Sequence, residues 1–116
     1  MKESAGILEI YPYMRQTLDL VSDKWVVAVI YALSGGEKRY GELQREIGGV
    51  SQRMLTRTLR NLEGDGLVSR RVHSVKPPIV EYALTPLGET LVEPLRNLCD
   101  WAITNFHEVE AMRKIK

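Results

Sequence analysis

Residues 51–63 read Ser51-Gln52-Arg53-Met54-Leu55-Thr56-Arg57-Thr58-Leu59-Arg60-Asn61-Leu62-Glu63. Met54, Leu55, Thr58, Leu59 and Leu62 recur at the three- and four-residue steps of one helix face. Ser51 is a good N-cap for that helix, because its hydroxyl accepts from a first-turn amide that has no helical partner. Gln52, Arg53, Thr56, Arg57 and Arg60 fall on the opposite face. An α-helix fits the major groove of B-DNA, where its N-terminal residues reach base edges and its peripheral cations meet phosphates. Gln52 and Arg53 are therefore the expected base readers, since arginine pairs two-pronged with guanine and glutamine with adenine. Ser51, Thr56, Arg57 and Arg60 are the expected phosphate contacts. Ordinary solvated helices also carry polar faces, so the flanking segments must decide between the two.

Upstream, Tyr40, Leu43 and Ile47 mark a short helix that Gly48-Gly49 ends, with Lys38 to Tyr40 long enough only for a very short strand before it. Two helices joined by a tight glycine turn make a helix-turn-helix candidate. Lys24 to Leu33 is apolar all round, and its periodicity fits a buried helix or a strand. Its length, Asp23 as cap and Gly35-Gly36 as stop favour a helix. A first helix is expected after Pro12, up to about Ser22, with Tyr13, Met14, Leu18 and Val21 on one face.

Downstream, Gly64-Asp65-Gly66 breaks the helix, and Leu67 to Ser74 and Ile79 to Thr85 alternate as two antiparallel strands. Pro77-Pro78 stiffens the loop between them. Thr85-Pro86 is a helix opening, followed by a stripe of Leu87, Leu91, Leu95, Leu98, Ala102 and Phe106 with Trp101 beside it. Pro94 should kink or split that helix, and Arg113 to Lys116 should fray. The expected class is mostly α with a small β-hairpin (α+β), a winged helix-turn-helix extended by N- and C-terminal helices. Residues 1–116 form one domain on this reading, with a DNA-binding core at about 24–85 and flanking helices at about 12–22 and 86–108.

The chain has 116 residues, 44% hydrophobic and 27% charged, the balance of a globular protein, and a net charge of +1. So small an excess does not itself suggest nucleic acid, but distribution matters more. Between Arg53 and Lys76 the bases Arg53, Arg57, Arg60, Arg70, Arg71 and Lys76 meet only Glu63 and Asp65. The hairpin thus supplies a second cationic element beside the helix, with Arg71 and Lys76 expected on phosphates or in the minor groove and His73 a further donor. This second element tips the polar helix face towards DNA.

The longest apolar run, Trp25 to Leu33, is about half the roughly 20 residues of a bilayer span, and Met1 to Ile10 lacks a signal-peptide pattern. A cytoplasmic protein with no membrane partner is expected. Cys99 is the single cysteine, and His73 and His107 show no ligand spacing, so neither a disulfide nor a metal is expected. Cys99, among Leu95, Leu98 and Trp101, reads as a packing residue. There is no phosphate-binding glycine loop, no nucleophile beside a base and no evident carboxylate pair, which argues against an enzyme; no cofactor is expected. Asp19, Asp23 and Glu42 read as cap or surface residues.

The last helix carries a longer apolar stripe than a small domain covers, and a two-fold partner is the commonest way to bury the remainder. Leu91, Leu95, Leu98, Trp101 and Phe106 are the expected dimer contacts; Trp101 and Phe106 alternatively line a pocket for a small-molecule effector. A dimer would read an inverted-repeat operator in double-stranded DNA.

An ordered set of segments resembles the HxlR family of transcriptional regulators. They are Thr17-Leu18-Asp19-Leu20, Lys24-Trp25, Arg39-Tyr40-Gly41-Glu42-Leu43, Ser51-Gln52-Arg53-Met54-Leu55-Thr56, Leu59-Arg60-Asn61-Leu62-Glu63, Gly66-Leu67-Val68, Val80-Glu81-Tyr82-Ala83-Leu84-Thr85 and Leu87-Gly88. The resemblance spans Tyr11 to about Trp101 and implies a dimeric, sequence-specific winged-helix DNA binder. It further implies that the Ser51 helix enters the major groove and that the first and last helices pair, which adds Tyr13 and Leu18 to the dimer contacts. Two departures stand out. Many similar proteins carry a cysteine, some of them a sensing one, where this chain has Tyr11, and an arginine after the wing prolines where it has Ile79. MarR-like and PadR-like regulators fit the segments less well, and the rival of another class is a winged-helix protein-interaction module without DNA binding.

Overall fold

Three side-chain caps and a pair of glycines set the path of the chain. The computed structural model describes residues 6–115. They form α1 (Ile7–Val21), α2 (Lys24–Leu33), β1 (Lys38–Arg39), α3 (Tyr40–Ile47), α4 (Gln52–Gly64), β2 (Val68–His73), β3 (Ile79–Leu84), α5 (Pro86–Glu89) and α6 (Val92–Ile115). Asp23 opens α2 by accepting from the Trp25 amide at 2.8 Å, and Ser51 opens α4 by accepting from the Met54 amide at 3.1 Å. The Thr85 hydroxyl does two jobs: it accepts from the Gly88 amide at 3.0 Å and donates to the Gly66 carbonyl at 2.6 Å, tying the start of α5 to the end of α4. Between α3 and α4, Gly48 and Gly49 both take positive φ, 70° and 71°, where a Cβ would be strained.

The result is mostly helical, with one antiparallel sheet of order β1-β3-β2, a winged helix-turn-helix. Two-residue β1 adds a third strand to the wing: Lys38 pairs with Tyr82 and Arg39 with Glu81. An isolated two-stranded hairpin is marginal in water, so this addition anchors the wing. Along β2 and β3, Val68 faces Leu84 and Arg71 faces Glu81.

Helix α2 is the hub, contacting α1, α3, α4, β3 and α6. Around it Val29, Ile30, Leu33, Leu43, Leu55, Leu59 and Leu62 are fully buried. Each such side chain contributes about 1.5–3 kcal/mol relative to exposure. Gly88 sits at a close approach, where any Cβ would collide with the Leu67 carbonyl; α5 is pressed against the start of the wing there.

Several expectations need correction. The first helix begins at Ile7, ahead of Pro12, which lies inside it. Ile7, Tyr11, Met14 and Leu18, spaced four, three and four residues apart, continue one apolar stripe through the proline. Tyr13 lies off that stripe. The C-terminal helix is split, but at Thr90 and Leu91 rather than at Pro94. Pro94 falls in the first turn of α6, where the amide hydrogen it lacks has no partner to bond. Helix α6 runs through Arg113 and Lys114 to Ile115, a segment expected to fray; Lys116 lies outside the described residues. Cys99, expected in an apolar setting, is exposed.

No side chain of α1 is buried, and Leu95 is the one buried on α6. The radius of gyration is 17.3 Å, well above the ~13 Å of a compact domain of this length. Both terminal helices stand out from the core as arms. Among the described residues, no helix is long and apolar enough to cross a membrane.

Candidate nucleic-acid interface

The amphipathic pattern of residues 51–63 is realised in three dimensions: Leu55, Thr58, Leu59 and Leu62 point into the core. The opposite face forms an open groove lined by Ser51, Gln52, Arg53, Thr56, Arg57, Arg60 and Asn61. Asn61 was not among the expected contacts; it extends the row one step past Arg60.

Arg53, Arg57 and Arg60 are exposed, and among the described residues no carboxylate lies within ion-pair distance of them. The first and last are seven residues apart along the helix, about 10 Å of axis. Guanidiniums in a row, with no ion pair among the described residues, produce a positive potential, which attracts a polyanion and suits arginine's forked donors to phosphate or guanine. Ser51 uses its oxygen as acceptor in capping α4, so its hydroxyl hydrogen remains available to a phosphate.

Thr56 differs from its neighbours. It is half-buried, and its hydroxyl lies 2.9 Å from that of Tyr40, which donates to the Gln52 carbonyl at 2.7 Å. Spacing alone placed Tyr40 on the apolar side of a short helix; no local pattern signals the reach of its hydroxyl across the turn.

The wing divides its cations. Arg71 is held by Glu37 at 3.5 Å, and His73 Nε2 lies 2.9 Å from Glu81 Oε1. That histidine nitrogen, though close to the carboxylate, makes no hydrogen bond with it. Arg70 and Lys76 are exposed, and neither has an ion pair among the described residues. The wing's free charge therefore sits on Arg70 and on Lys76 at the tip, while Arg71 is partly engaged.

The arms carry the expected dimer residues with one exception. Tyr13, Leu18, Leu98, Trp101 and Phe106 are exposed, Leu18 and Trp101 each by 52%, and Leu91 is half-buried. Leu95 is only 6% exposed and belongs to the chain's own core, where it holds α6 onto α2. It has little surface left for a partner. Nearby, the Tyr31 hydroxyl reaches the Leu95 carbonyl at 3.4 Å. Desolvation raises its pKa, and the adjacent Cys99 thiol acts in the same direction. Ile7, Tyr11 and Met14 join the exposed apolar set, beyond those expected from sequence.

Residues 20–110 match the family described as HxlR-like helix-turn-helix. The uncharacterized HTH-type transcriptional regulator YtfH of Escherichia coli is 46% identical over 99 residues, covering 85% of this chain and 79% of its own. The similarly described YkvN of Bacillus subtilis is 47% identical over 85 residues, 73% of this chain and 72% of its own. Among solved structures, ytfH of Salmonella typhimurium superposes with a TM-score of 0.74 at 42% identity, covering 87% of this chain and 90% of that one. The reduced form of the redox regulator HypR gives 0.78 at 39% identity, with 84% and 97% covered.

Proposed function

This chain belongs to the HxlR-like helix-turn-helix family, whose members similar to it are transcriptional regulators and not enzymes, and from that premise we propose that it acts as a homodimer on an inverted-repeat operator in double-stranded DNA. Helix α4 enters the major groove. Gln52 and Arg53 in its first turn read base edges; Ser51, Arg57 and Arg60 contact phosphates, with Asn61 at the end of the row. The wing follows alongside, Lys76 and Arg70 meeting phosphates or the minor groove, with Arg71 a weaker participant because Glu37 already holds it. The three exposed arginines on one helix face, none with an ion pair among the described residues, carry this reading.

Residues 1–116 act as one domain in the cytoplasm, the core at about 24–85 bearing the DNA contacts and the flanking helices bearing the dimer. Apolar side chains exposed along both α1 and α6, on arms that reach past the core, support that division. Leu18, Leu98, Trp101 and Phe106 meet the partner, with Tyr13 and Leu91 at the edge. Two-fold pairing sets the α4 helices in successive major grooves, about 34–36 Å apart.

Selection of bound sequences from a random duplex pool, followed by titration of the best site against salt, tests this. Enrichment of an inverted repeat whose half-sites lie one helical turn apart is the expected outcome. Binding without enrichment, weak and steeply salt-dependent, would instead favour a winged-helix module that binds protein.

A further inference from the structure

We infer that Tyr40 is a positioning residue for base reading: its hydroxyl, shared between the Gln52 carbonyl and the Thr56 hydroxyl, fixes the first turn of α4 in its reading orientation. This rests on the proposed role of α4 and names what holds that helix in register.

Hydrogen counting assigns the donors. Tyr40 has one hydroxyl hydrogen, and the Gln52 carbonyl can only accept, so that hydrogen goes to the carbonyl at 2.7 Å. In the 2.9 Å contact Thr56 must then donate to the tyrosine oxygen. The Thr56 hydrogen thus points inward and is not free for a phosphate. Thr56 moves from the set of DNA contacts to the set that braces the helix.

The brace has a firm base. Tyr40 follows directly on β1, whose Lys38 and Arg39 pair with Tyr82 and Glu81 of the wing. The Arg39 amide donates to the Glu42 carboxylate at 2.9 Å, fixing the start of α3. A continuous path therefore runs from wing strand β3 through β1 and the tyrosine ring to the carbonyl of Gln52, one of the expected base readers. Two-pronged base contacts tolerate little displacement, and each contributes roughly tenfold discrimination. Letting the first turn rock costs discrimination before it costs phosphate attraction, which varies slowly with distance.

Tyr40→Phe keeps the ring and removes the hydroxyl. Affinities for the best duplex from the random pool and for a scrambled duplex of equal composition should be compared across a salt series. The ratio of the two is expected to fall about tenfold, with scrambled-duplex affinity and salt slope unchanged and Tm lowered by no more than a few degrees. Thr56→Val should lower the ratio in the same way, and the double variant should add little to either. Without DNA, the Leu55 amide, which donates to the Ser51 carbonyl and so closes the first turn of α4, should exchange faster in Tyr40→Phe while amides of α2 do not. An unchanged ratio in both single variants overturns the inference, as does a parallel loss of Tm and of affinity for both duplexes. A wild-type chain that shows no sequence preference overturns the reading role of α4 itself, whatever the amides do.

Discussion

Helices α1 and α2 follow one another in the chain, separated only by Ser22 and Asp23, and both are rich in apolar side chains. In α2, Val26, Val29, Ile30, Ala32 and Leu33 are buried; in α1 no side chain is. Similar chemistry thus meets two fates. The α2 side chains are covered by α3, α4 and the wing, giving a core complete within one chain. Among the described residues nothing covers most of the α1 stripe or the outer part of α6, and large apolar areas left open on a small protein mark an association surface. One half of the molecule folds on itself; the other half leaves its apolar side chains open, the surface that the proposed dimer would cover.

The sharpest contrast lies in what truncation does on each side. Leu55→Ala, in the core, should cost about 2–5 kcal/mol of stability, seen as a large fall in Tm at every protein concentration. Trp101→Ala, on an arm, should weaken self-association by about 2 kcal/mol, roughly thirtyfold, read by sedimentation equilibrium. A Trp101→Ala chain that unfolds like Leu55→Ala at high dilution would erase the distinction. Next comes the α4 face, which belongs to the core half but whose exposed side should behave like neither. Arg53→Ala should relax base preference by roughly 1–3 kcal/mol at one position of each half-site, with Tm slightly raised rather than lowered. Arg60→Ala should weaken all duplexes alike and reduce the salt slope by about one unit. Equal effects of both arginines on every sequence would show the reading and phosphate roles to be misassigned. Smallest of all, Ile103→Ser, on a heavily exposed part of α6 away from the expected contacts, should change stability and association by no more than about 0.5 kcal/mol.

The contrast also explains what the sequence made legible. Helix α4 could be placed because cap, stripe and glycine stop are all local signals at one site, and its polar face came with it. The wing followed from alternation and from Pro77-Pro78. Other features depend on contacts distant in sequence. The pairing of β1 with β3 and the reach of the Tyr40 hydroxyl exist only once the turn is formed. Leu95 sits on the same stripe as Leu98, and spacing does not say that α2 covers one and leaves the other open. Pro12 read as a helix opener because proline is common there, yet the stripe of Ile7, Tyr11, Met14 and Leu18 was a signal for the longer helix. Pro94 misled in the other direction, since the break falls at Thr90 and Leu91 and leaves the proline at a harmless first-turn position.

Arg53, Arg57 and Arg60 are four and three residues apart on one helix, so in the free protein they repel one another. Like charges at this spacing destabilise a helix by a few tenths of a kcal/mol per pair. Added salt should therefore raise the Tm of the free protein slightly, by screening that repulsion, while it lowers affinity for DNA. Salt would act with opposite sign on the fold and on the complex, and a duplex that seats phosphates against the row would relieve the repulsion that the empty helix carries.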